Sequence, residues 1–185
     1  MCVKLHPFAL KALFNIESFC FTNKATNLAD VEPGMREIIY QQLSEAQTNK
    51  QRIWIIDHYL KYLIRKNNGK INPVSHSFLG FLRKNPFASM DHIRDFICCS
   101  NRTLQRKIKE DFGMSPKMYC RIQRFNKAYY YLKYKKCYSL QDISYMCGYY
   151  DLSHFVNDFK EFTGQPPQEY FTSENIYNSL FTGIN

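Results

Sequence analysis

Residues 90–119, MDHIRDFICCSNRTLQRKIKEDFGMSPKMY, and residues 140–170, LQDISYMCGYYDLSHFVNDFKEFTGQPPQEY, are two imperfect copies of one pattern. Ile93 stands against Ile143 and Cys98 against Gly148 at a separation of 50 residues. After one inserted residue the separation becomes 51: Leu104 stands against Phe155, Ile108 against Phe159 and Lys109-Glu110 against Lys160-Glu161. Gly113 then matches Gly164, Pro116 matches Pro167 and Tyr119 matches Tyr170. Glycines, prolines and tyrosines recurring in the same order mark a structural unit used twice.

Each copy reads as helix, short turn, helix. In the first, Ile93, Phe96 and Ile97 form the apolar face of a short helix beginning after Ser89, and Cys98-Cys99 is the turn. Ser100 sits where an N-cap must satisfy the free N–H groups of the next helix. That helix turns Leu104, Ile108 and Phe112 inward and breaks at Gly113 and Pro116. In the second copy Leu140, Ile143 and Met146 or Cys147 face inward, Gly148 makes the turn, Asp151 is the N-cap, and Phe155 and Phe159 are buried. A helix from about Pro116 to Lys135 joins the copies, with Met118, Ile122, Phe125, Tyr129 and Leu132 in one stripe. These aromatic and apolar stripes read as core.

Helix-turn-helix pairs read DNA when the second helix carries polar donors opposite its core residues. In the first copy those donors are Arg102, Gln105, Arg106 and Lys109, at i, i+3, i+4 and i+7. Arginine grips guanine O6/N7 bidentately and glutamine pairs with adenine N6/N7. Lys109, one turn further on, suits phosphate, as do Asn101 and Thr103 at the helix start. The competing reading is an ordinary solvated basic face, and its place on the repeated unit favours function. The second copy is chemically poorer: Leu152, Ser153, Val156, Asn157 and Lys160 occupy its corresponding face. Ser153 or Asn157 can meet base edges and the apolar residues a thymine methyl, without matching the first unit's electrostatics.

Upstream, Asn72-Pro73 marks a boundary, followed by a helix through Phe78, Leu79 and Leu82 that ends before Asn85-Pro86. Before it, Thr48 caps a helix with apolar positions Ile53, Ile56, Tyr59, Leu60 and Leu63, stopping at Asn67-Asn68-Gly69. Met35, Ile38, Ile39 and Leu43 recur at helical spacing behind Pro33. Residues 8–14 suit a short helix and Glu17 to Asn27 a loop. With no charged or Pro/Gly/Ser-rich linker, the N-terminal segment and the remainder are expected to pack together. The fold class is all-α, with two helix-turn-helix units joined by a long linker helix and preceded by a mostly helical N-terminal segment. The expected divisions are 1–72, 73–172 and a tail over 173–185.

Composition is consistent with this. Fifteen Phe and fourteen Tyr supply an aromatic core, while seven Gly in 185 residues argue against a turn-dense β fold. The net charge of +9 suits a polyanion, either nucleic acid or an anionic membrane surface. No run of about 18 apolar residues exists, which excludes a membrane span. The opening Met1-Cys2-Val3-Lys4-Leu5-His6-Pro7 lacks the pattern of a signal peptide, so a cytoplasmic location is expected. The seven cysteines (Cys2, Cys20, Cys98, Cys99, Cys120, Cys137 and Cys147) are irregularly spaced and read as reduced thiols, mostly core fillers. Neither HExxH, GxSxG, a Walker loop nor a paired-Cys metal motif is present, so neither an enzyme nor a cofactor is expected.

Residues 73–171 resemble the AraC/XylS family of transcription regulators. The resemblance rests on Ser100-Asn101-Arg102-Thr103-Leu104-Gln105-Arg106, Gly113-Met114-Ser115-Pro116 and Arg124 through Ala128. It continues through Gly148-Tyr149, Ser153-His154-Phe155, Phe159-Lys160 and Gly164-x-x-Pro167. It implies a seven-helix domain whose two reading helices enter successive major grooves of duplex DNA. Base readout then falls to Arg102, Gln105 and Arg106, with Ser153 and Asn157 weaker, and His154 meets phosphate or serves in capping or packing. RNA polymerase is a further partner implied for such a regulator; no small-molecule effector is named.

Arg94 stands where the family has a small residue, Cys98 where the first turn often has Gly, and Asn157 where a basic residue is common. The N-terminal third resembles the end of a sensor domain, which implies a shortened member or a fragment. The alternatives are a non-specific or architectural DNA-binding protein and a redox- or metal-sensing regulator using Cys98 and Cys99. A suicidal DNA-repair methyltransferase, some of which carry this type of domain, would need an activated cysteine, and a tight turn is a poor place for one.

Overall fold

The computed structural model describes residues 3–6, 8–22, 24–32, 36–68, 71–135 and 138–172, and the side chains of residues 36 and 37 are left aside. Over these residues the protein is all helical. The expectations for Cys2, Pro33, Met35, Gly69, Cys137 and the tail over 173–185 lie outside them.

Contacts divide the chain into two compact units: Met1–Lys84 with Ala88–Pro116, and Asn85–Phe87 with Lys117–Asn185. The first begins with α1 (Ala9–Phe14), which ends on Asn15 in the left-handed conformation. A 3-10 turn, Ser18–Phe21, lies within the stretch Glu17 to Asn27 expected to be loop, and the short α2 (Leu28–Val31) follows it. The helix expected behind Pro33 is a π-helical turn, Arg36–Tyr40, leading into α3 (Gln41–Glu45). α4 (Asn49–Lys66) starts with the expected Thr48 cap, completed as a capping box by Gln51. Leu13, Ile39, Tyr59 and Leu63 form the buried cluster of this region. Ile53 is not part of it: it is exposed, because the α4 face that meets α1 and α3 runs through Ile55, Tyr59 and Leu63.

α5 (Pro73–Lys84), α6 (Met90–Ile97) and α7 (Asn101–Phe112) complete the first unit. Phe78, Leu82, Ile93, Leu104, Ile108 and Phe112 are buried, and the Phe78 and Phe112 rings lie 5.9 Å apart. Each such side chain contributes about 1.5–3 kcal/mol on leaving water. Phe96, expected to face inward, is 58% exposed. Its ring rests on Phe81 at 4.6 Å near the surface, while Ile93 takes the central position.

The second unit holds nearly all of α8 (Pro116–Tyr134), then α9 (Leu140–Met146), α10 (Leu152–Thr163) and α11 (Pro167–Thr172). Phe125, Ala128, Tyr129, Ile143, Cys147, Tyr149, Phe155, Phe159 and Tyr170 make its core. Of the open pair Met146 or Cys147, Cys147 is buried and Met146 exposed. From Pro73 to Thr172 the described residues form seven α-helices, the number the resemblance implies.

Cys120 and Cys147 are core fillers as expected, and burial pushes both thiols up to about 11. Cys20 and Cys98 are exposed instead. Cys98 closes α6 in the left-handed conformation, φ 53°, and its thiol donates to the Asp95 carbonyl at 3.3 Å.

Candidate nucleic-acid interface

α7 is set by its ends. Ser100 is extended and its hydroxyl accepts the Thr103 N–H at 3.2 Å, while Gly113 ends the helix in the left-handed conformation. The Ser100 hydroxyl in turn donates to the Thr103 hydroxyl at 3.0 Å, so Thr103 belongs to the cap. Because Leu104, Ile108 and Phe112 are pinned inward, Arg102, Arg106 and Lys109 stand exposed on the opposite face, with Gln105 half-buried beside them. Asn101 is exposed at the helix start.

Arg106 donates to Glu110 at 2.9 Å and Lys107 donates to the other oxygen of that carboxylate at 3.3 Å. Burial opposes ionisation of Glu110, yet hydrogen bonds from Arg106 and Lys107 hold its carboxyl below the ordinary value. One carboxylate is thus shared by two cations. Such a surface pair is worth under about 1 kcal/mol, little enough for a phosphate or base edge to replace it. Among the described residues Arg102 and Lys109 make no ion pair.

α10 repeats this frame. The Asp151 carboxylate accepts the His154 N–H at 2.7 Å, and the buried Ser144 donates its hydroxyl to the Asp151 carbonyl at 3.0 Å. Ser153, Asn157 and Lys160 are exposed at i, i+4 and i+7, in the positions that Arg102, Arg106 and Lys109 hold on α7. Leu152 and Val156 are half-buried against the core, so the apolar part of the expected face is largely packing. His154 is exposed, its ring edge-on to Tyr149 at 5.5 Å, which orients it beside the helix start. The second turn carries two adjacent tyrosines: Tyr149 is buried and Tyr150 is 87% exposed.

Two supports have no local signature in the sequence. Arg121 on α8 donates to Asp158 at 2.6 Å and to Glu161 at 2.5 Å, clamping α10 from a residue 37 positions away. Ser18 donates its hydroxyl to the Asp111 carbonyl at 2.5 Å across 93 positions, reaching the end of α7. Only the folded chain brings such partners together.

Residues 95–173 match the model of a helix-turn-helix domain. The HTH-type transcriptional activator RhaS of Escherichia coli O9:H4 (strain HS) is 36% identical over 77 residues, 41% of this chain and 27% of the relative. RhaS of Shigella boydii serotype 18 (strain CDC 3083-94 / BS512) matches with the same identity and coverage. The chain thus spans about a quarter of the length of the curated relatives it matches. No solved structure matches it. The doubled helix-turn-helix geometry, the family model and the likeness to RhaS agree, and over these residues the chain is similar to helix-turn-helix transcription regulators of the AraC type.

Proposed function

We propose that residues 73–172 form a duplex-DNA-binding domain that recognises sequence with α7 and α10 in successive major grooves, with α7 dominant. The observation that carries this reading is the exposed row Arg102, Arg106 and Lys109 on a helix whose opposite face is wholly committed to the core. Arg102 and Arg106, one turn apart, are suited to base edges, with Gln105 beside them; Lys109 and the helix start with Asn101 and Thr103 are suited to phosphate. On α10, Ser153 and Asn157 can take base edges and Lys160 and His154 phosphate, without an arginine on that face. The net charge of +9 supports association with a polyanion. Transcription regulation is supported by the likeness to the transcriptional activator RhaS, and RNA polymerase is the protein partner that role would call for.

Selection of binding sites from a random duplex library with the full chain tests the proposal. Enrichment of a motif spanning two half-sites about one helical turn apart is expected. A library that returns no motif, with uniform affinity for all duplexes, would replace this reading with architectural binding.

A further inference from the structure

The first reading helix is finished by a segment far outside the repeated units. A helix leaves its last carbonyls without intrahelical partners, and an end enclosed by protein must find donors for them. On α7 those donors come from the N-terminal segment. The buried Ser18 donates to the Asp111 carbonyl at 2.5 Å, and Thr22 donates to the carbonyl of Gly113 at 2.9 Å. The fit is close: a Cβ on Gly113 would lie 2.7 Å from the Thr22 hydroxyl and 2.9 Å from the Ser18 carbonyl oxygen. The buried Asp111 side chain is itself occupied, accepting the Ser75 hydroxyl of α5 at 2.5 Å. The last turn of α7 is therefore held from two sides.

The other end of this strap is also fixed. Leu13 of α1 sits in the cluster with Ile39, Tyr59 and Leu63, and the side chain of Asn67, just beyond α4, donates to the Leu13 carbonyl. Three residues, Asn15 to Glu17, connect α1 to the Ser18–Phe21 turn. Glu17 and Phe19 line a cleft of about 270 Å³ with Arg106, Lys109 and Glu110, so the strap reaches the flank of the reading face itself.

We propose that Ser18 and Thr22 are positioning residues for DNA reading: they cap α7 from the N-terminal helices and set the placement of Arg106 and Lys109. This rests on the reading of α7 as a recognition helix.

The experiment uses the full chain and two probes, the most enriched duplex from the random library and poly(dI-dC). Ser18→Ala/Thr22→Val should weaken binding to the enriched duplex about tenfold, because the last turn of α7 loses two of its fixing hydrogen bonds. Binding to poly(dI-dC) should fall much less, because no cation is removed and only the Lys109 phosphate contact is displaced. Amide exchange should quicken in the last turn of α7 and not in α10. Thr22→Ser, which keeps the donor, should behave as wild type. Should the double variant fail to fold, Thr22→Val alone, at an exposed residue, carries the same comparison with a smaller loss.

Equal losses on both probes would overturn the proposal and leave the strap a stability element. Tighter binding by the variant would also overturn it, by showing that the strap competes with DNA. Arg102→Ala is the control: if it leaves the enriched duplex bound normally, the reading of α7 fails and the strap proposal with it. If Arg102→Ala weakens binding and the strap variants do not, the strap proposal alone fails.

Discussion

Cys98 and Gly148, which correspond in the two copies of the repeat, both adopt the left-handed conformation, with φ 53° and 72°. The turn therefore has the same backbone requirement in both units, and only the second meets it with a residue free of a Cβ. A non-glycine residue there costs roughly 1 kcal/mol. Cys98→Gly should therefore raise the stability of the first unit by about that amount, read as a higher Tm. Gly148→Ala should cost more than the backbone term, because its Cβ would lie 2.7 Å from the Phe87 Cβ. A Tm unchanged in both variants would show that these turns are not under conformational strain.

Arg121 is 20% exposed and its partner Asp158 only 5%, so removing the guanidinium strands a carboxylate in the second unit's core. Arg121→Met should destabilise that unit by about 3–5 kcal/mol, the usual result of breaking one side of a buried pair. Arg121→Met/Asp158→Asn should recover much of the loss. Hydrogen bonds and charge from Arg121 hold the exposed Glu161 carboxyl below its ordinary value. That contribution is present above the ordinary carboxyl range and is lost as pH falls through the lowered value, so the wild-type advantage should narrow on acidification. Denaturant unfolding at neutral and acidic pH measures both effects.

On the proposed reading, α7 and α10 should contribute unequally to DNA binding. Arg102→Ala and Arg106→Ala should each cost about 1–3 kcal/mol on the selected duplex and relax preference at individual base pairs. Asn157→Ala should cost much less, because the α10 face offers no arginine and its apolar members are drawn into the core. Losses of the same size on selected and random duplexes would reassign both arginines to phosphate. A footprint confined to one groove would remove α10 from the interface.

The cysteines separate by burial. Thiol labelling of the native protein should modify Cys20 and Cys98 rapidly and spare Cys120 and Cys147, whose burial both blocks access and raises the thiol to about 11. A disulfide between the neighbours Cys98 and Cys99 demands strained geometry. Cys98→Ser/Cys99→Ser should accordingly bind the selected duplex nearly as wild type, and mild peroxide should not switch binding. Loss of wild-type binding in peroxide, reversed by dithiothreitol and absent in the double variant, would establish a redox sensor at this turn.

Local chemistry by itself determined the helical frame of this protein. Apolar spacing placed Leu104, Ile108, Phe155 and Phe159 inward, and Ser100, Asp151, Gly113 and Gly164 marked helix ends, because capping and left-handed turns are requirements a few residues satisfy among themselves. With the inward face known, the outward positions of Arg102, Arg106 and Lys109 followed from the 3.6-residue period. Tertiary structure decided what depends on competition for a shared core. Ile53, Phe96 and Met146 fit their helical stripes yet are exposed, since Tyr59, Ile93 and Cys147 occupy the contacts that burial could offer. It also decided the long-range supports, Ser18 and Thr22 on the end of α7 and Arg121 on Asp158, because a hydroxyl or guanidinium acquires its partner from chain closure across dozens of residues, and no local periodicity records where that closure brings it.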